Sequence, residues 1–135
     1  MTKKILLFLS LFIVCVSALK AEYTNGVFIL NEDWFGHSSG SINYYNYETE
    51  EVEYDVFKGA NTEKYLGTTS QFAQLFDGKL YIVSKQNYGN SELTGGRLIV
   101  ADASTLTQLA SLAELDGKDG RSFVGVNSEK GYIGT

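Results

Sequence analysis

The segment from Ser70 to Leu115 constrains this chain most, because it reads as a run of four short strands. Gln71 to Phe76 is a short apolar run that stops at Asp77-Gly78, a pair suited to a tight hairpin because both positions accept positive φ. Lys79 to Ser84 is almost continuously apolar and rich in β-branched and aromatic side chains, as a strand buried on both faces requires. Lys85 to Gly96 is polar, with several Gly and Asn. Arg97 to Ala101 forms a third strand, turned by Asp102-Ala103-Ser104-Thr105, whose Asp and Ser side chains can bond their own backbone. Leu106 to Leu115 closes the unit as a fourth strand, although its Ala-Leu content also suits a short helix.

The unit repeats. Val27-Phe28-Ile29-Leu30 matches Leu80-Tyr81-Ile82-Val83 at an offset of 53 residues, and Gly40-Ser41-Ile42 matches Gly96-Arg97-Leu98 at 56. Tyr132-Ile133 repeats Tyr81-Ile82 at 51. Four-stranded repeats of about this length are the mark of β-propeller blades, with an ordinary β-sandwich as the competing arrangement. The predicted fold is therefore all-β, a β-propeller of four-stranded antiparallel blades with about two and a half blades in residues 22–135. Residues 27–58 supply three strands (Val27 to Asn31, Ser41 to Tyr47, Glu51 to Lys58), and Ser122 to Val126 with Gly131 to Gly134 supplies a first and a second strand. An incomplete last unit leaves edges unpaired. The expectation is thus an N-terminal part of a longer propeller, which does not fold unaided and whose missing first strand comes from the C-terminus.

Residues 1–21 read as a signal peptide: Lys3-Lys4, an apolar run from Ile5 to Val16, and small residues at Ala18 and Ala21 for cleavage. The run is shorter than the ~20 residues of a spanning helix. Export to the periplasm or cell surface of a Gram-negative bacterium follows. Cys15, the single cysteine, offers a lipidation site, but Phe12-Ile13-Val14 before it are not the small residues such sites carry. Cleavage after Ala21 leaves no cysteine, and 8 basic against 16 acidic side chains, a net charge of −8. That balance argues against nucleic acid or an anionic membrane surface as partner.

The segments GVFILNEDWFG, GSINYYNYETEEVEYDVF, SQFAQLFDGKLYIVSKQ and GGRLIVADASTLTQLASL together resemble exported Bacteroidetes β-propeller proteins of the broad YncE-like (YVTN/WD40-like) group. The likeness runs from Asn25 to Thr135. Members of that group include surface lipoproteins that capture cobalamin and pass it to a TonB-dependent outer-membrane transporter. The resemblance therefore implies capture of a small-molecule ligand such as a corrinoid and an outer-membrane transporter as partner. The poor lipidation motif at Cys15 departs from that pattern.

In an up-and-down unit, alternate connections share a face, which gathers the long segments 31–40, 59–69, 86–95 and 116–121 at one end. NEDWFGHSSG holds the only tryptophan and the only histidine. Trp34 and Phe35 can stack on a flat ligand, with Asn31, Glu32 and His37 as polar contacts, or they can fold back to cap the unit. His37 can equally be a solvated side chain. Gln86, Asn87 and Tyr88 occupy the equivalent loop one unit on, and Tyr65 and Arg121 join the same face. No nucleophile elbow, zinc-ligand set or Asp-x-Asp-x-Asp calcium loop is present, so neither enzyme activity nor a cofactor is expected. Glu32-Asp33 and Glu50-Glu51 are adjacent pairs whose side chains diverge on strands, and Gly95-Gly96 are assigned to turns. Ligand capture is the first expectation. A scaffold binding an envelope protein or glycan is the second, and a metal-dependent lactonase-like hydrolase the third.

Overall fold

The computed structural model describes residues 22–86 and 95–135; the proposed leader with Cys15, and the loop residues Asn87 and Tyr88, lie outside them. At its centre is strand β6 (Lys79–Gln86), flanked antiparallel by β5 (Thr68–Phe76) and β8 (Leu98–Asp102), with β9 (Gln108–Leu112) beyond β8. This is the four-stranded unit expected from Ser70 to Leu115, and its last member is a strand, not a helix. Asp77 and Gly78 both take positive φ, 49° and 69°, which closes the β5–β6 hairpin as the sequence requires.

Three strands precede the central sheet: β1 (Gly26–Asn31), β2 (Ser41–Asn46) and the short β3 (Val52–Glu53), in that spatial order. A third sheet pairs β10 (Ser122–Asn127) with β11 (Lys130–Gly134). The repeats match in register as well as in sequence. Leu30 lies opposite Ile42 in the first sheet, and their counterparts Val83 and Leu98 lie opposite each other in the central one.

Strand alternation then stacks the sheets. On β6 and β8, Leu80, Ile82, Ile99 and Ala101 face the first sheet, where Phe28, Leu30, Ile42 and Tyr44 meet them in one core. Tyr81, Val83, Leu98 and Val100 point the other way and meet Phe123 and Ile133 of the third sheet. Tyr81 lies flat on Phe123, with ring centroids 4.0 Å apart and planes within 8°. The central sheet is covered on both faces, which is why β6 could dispense with polar alternation.

Two expectations are corrected. Glu51 to Lys58 is not one strand: β3 ends at Glu53, Asp55 turns through the left-handed region, and Val56–Ala60 forms a one-turn helix, α1. Val56 and Phe57 are both buried. Neighbours on a strand would point to opposite faces, so only the helical turn takes both into the core. Gly95-Gly96 is not a turn either. It forms β7, parallel to β4 (Tyr65–Leu66).

Candidate functional site

The end of the molecule where β1 leaves the first sheet brings together segments 31–40 and 59–69 and the described ends of 86–95, held mainly by backbone bonds. Gly40 N–H donates to Gly67 O at 2.9 Å, Ser39 bridges Thr68, and Gly36 N–H reaches Thr69 Oγ1 at 3.3 Å. Segments 31–40 and 59–69 are thereby joined to each other, and β7 adds the end of the third. The 116–121 segment is held by Arg97, whose Nη1 donates to Lys118 O at 3.0 Å and Asp119 Oδ1 at 3.1 Å, while Nε lies 3.3 Å from a Glu114 carboxylate oxygen. A largely buried guanidinium with five fixed donors suits such a tie.

Within 31–40, Trp34 and Phe35 do not fold back as caps: they are 71% and 61% exposed. Trp34 stacks instead on His37, centroids 4.3 Å apart and planes 29° apart, in a turn closed by His37 N–H and Ser38 N–H donating to Trp34 O. Trp34 N–H in turn donates to Ser38 Oγ at 3.0 Å. Lys85 Nζ lies 5.5 Å from the centre of the Phe35 ring, a cation–π contact from the neighbouring sheet. Gln86 stands close by, its Oε1 accepting from Thr68 Oγ1 at 3.4 Å. The structure thus brings Trp34, Phe35, His37 and Gln86 to one ridge. Glu32 is elsewhere. It lines a hollow of about 660 Å³ with Ser70, Gln71 and Arg121.

Beside the ridge lies a cavity of about 550 Å³ between segment 31–41 and segment 54–66. Its walls include Asn31, Asp33, Ser38, Ser41, Asn43, Lys58 and Lys64, and Phe57 and Leu66 are buried beneath it. Tyr54, 78% exposed, and Tyr65, under Lys58 Nζ at 5.7 Å, stand among its aromatic members. Asn31 and Tyr65 were anticipated from sequence. Asn43, Tyr54, Lys58 and Lys64 were not, because their approach depends on α1 interrupting the expected strand. The run Tyr54-Asp55, a turn-forming residue after an exposed aromatic, is the one local signal of that break.

Among the described residues no group of three or more His, Cys, Asp or Glu is placed to hold a metal ion. What the ridge and cavity offer is an exposed aromatic surface next to a concavity lined by polar side chains and two tyrosines, an arrangement suited to holding a ligand. No curated protein matches the chain. The model of one family, the domain of unknown function DUF5074, matches residues 25–135, and the chain belongs to that family.

Proposed function

We propose that this is an exported ligand-binding protein whose loop face captures a flat small molecule, a corrinoid such as cobalamin, for transfer to an outer-membrane transporter, and that its sheets are blades of a β-propeller. The observation that carries the reading is the exposure of Trp34 and Phe35 on a segment tied down by backbone hydrogen bonds. Large apolar side chains in a fixed exposed turn lose little entropy on binding and gain by covering their faces. The propeller part is supported by the register match between repeats and by the face-to-face stacking of successive sheets. Binding, not catalysis, is the proposed mode of action, with the periplasm or cell surface as its place.

Titration calorimetry of cobalamin into the protein, with Trp34→Ala alongside, tests the capture reading. The expected outcome is binding that weakens at least about tenfold in the variant, equivalent to loss of ~1.4 kcal/mol of stacking. Absence of heat at high protein concentration removes the corrinoid. The exposed rim position of Trp34 would then point to a protein or glycan partner, to be sought by pull-down.

A further inference from the structure

We propose that the cavity between segments 31–41 and 54–66 is a binding site for a neutral hexopyranose ring, separate from the aromatic ridge and independent of the corrinoid reading. Three features of its lining carry the assignment. Two amide side chains are fixed by one internal bond each: Asn31 Nδ2 donates to Ser41 Oγ at 3.2 Å, and Asn43 Oδ1 accepts from Asp55 N–H at 3.0 Å. These bonds leave Asn31 Oδ1 as an acceptor and Asn43 Nδ2 as a donor, with no protein partner among the described residues. A sugar hydroxyl both donates and accepts, so vicinal hydroxyls require such a fixed mixed pair, and fixed amides meet them with little ordering cost.

The second feature is charge. Asp33 and Asp55 line the cavity together with Lys58 and Lys64, so the lining carries no net formal charge, although the chain as a whole carries −5. A site for an anion or a cation would be biased one way. This one supplies carboxylate acceptors and ammonium donors in equal number, as a neutral polyol needs. Third, the cavity is amphipathic in the same sense as a pyranose. Phe57 and Leu66 are buried beneath it, and the aromatic surface comes from half-buried Tyr65 and from the exposed ring of Tyr54, an electron-rich partner for the weakly positive axial C–H groups of a sugar.

The test is saturation-transfer NMR on the full chain with methyl α-glucopyranoside, methyl α-galactopyranoside and methyl α-mannopyranoside, followed by titration of any glycoside that shows transfer. At least one should receive saturation on its ring protons, and its affinity should fall about tenfold in Tyr54→Ala and in Asn43→Ala. Asn43→Ala also removes the Asp55 bond, so Lys64→Met, which touches no structural bond, serves as a second polar probe with circular dichroism as the check on folding. No transfer to any of the three sugars, or binding unchanged in Tyr54→Ala and Lys64→Met, overturns the proposal. A protein that binds cobalamin but none of these sugars loses this inference alone. One that binds a sugar but not cobalamin loses only the capture reading.

Discussion

The Asp102 carboxylate is the hub of the turn between β8 and β9, which backbone bonds from Asp102 N–H to Thr107 O and from Leu106 N–H to Asp102 O also close. One of its carboxylate oxygens accepts from Ser104 N–H and Oγ at 2.9 and 2.8 Å and from Thr105 N–H and Oγ1 at 2.9 and 3.1 Å. The Ser104 hydroxyl and the Thr105 amide are the main reasons that its pKa falls from 3.8 to about 2. A carboxyl whose folded pKa lies below its unfolded value stabilises the fold fully above pH ~4, and that contribution disappears as pH falls through the folded value. Asp102→Asn should therefore lower stability at neutral pH by about 1 kcal/mol, a figure that allows for the group's exposure. It should also flatten the acid limb of the unfolding curve between pH ~4 and ~2, as followed by urea midpoints. This much was legible: Asp-Ala-Ser-Thr is a self-bonding turn by composition. The geometry of Trp34 was not, because the same residues in a polar loop suit a cap as well as a platform, and only the backbone turn that stacks Trp34 on His37 decides.

Between elements, Asn61 is the tie that sequence reading had no means to find. It is 4% exposed, and its Nδ2 donates to Phe57 O and Leu106 O, both at 2.8 Å, while its Oδ1 accepts from Gln108 N–H at 2.8 Å. The end of α1 is thus joined to the start of β9. Asn61→Ala would leave two carbonyls and one N–H without this partner, at roughly 1–3 kcal/mol each, and a total loss of about 3 kcal/mol is expected in denaturant titration. Asn61→Asp, which turns a donor into an acceptor facing two carbonyls, should be no better. A loss below about 0.5 kcal/mol in both would show that water replaces the tie. In sequence, Asn61 is one polar residue in a polar stretch, and its bonds reach Leu106 and Gln108, far along the chain. Gly95 was hidden for the same reason. Its role is close approach, since a methyl group there would run into the Leu66 carbonyl and prevent the β4–β7 pairing.

At the scale of the whole molecule, the repeat offsets predict which faces should be buried, and two of them are open. Leu80 and Ile82 are almost completely buried on the central sheet, but their counterparts in the first sheet, Val27 and Ile29, are 43% and 40% exposed. Likewise Tyr81 lies against Phe123, whereas its counterpart Tyr132, paired with Val124, is 54% exposed. The stacking of sheets was legible because apolar strands and turn pairs recur at near-constant spacing; α1 was not, because its one local signal, Tyr54-Asp55, sits in a pattern that otherwise reads as a strand. The outer faces of the first and third sheets are each suited to another sheet, and apolar patches left open in water favour association. Thermal unfolding should therefore depend on protein concentration, with the midpoint rising as chains cover these faces in one another. Ile29→Lys together with Tyr132→Lys should remove that dependence while leaving the far-ultraviolet circular dichroism intact. Ile82→Lys, the same change at a covered position, should abolish cooperative unfolding, because it places a charge between two packed sheets. A midpoint independent of concentration in the unsubstituted chain would mean that these faces tolerate solvent, and that the stack of three sheets is sufficient in itself.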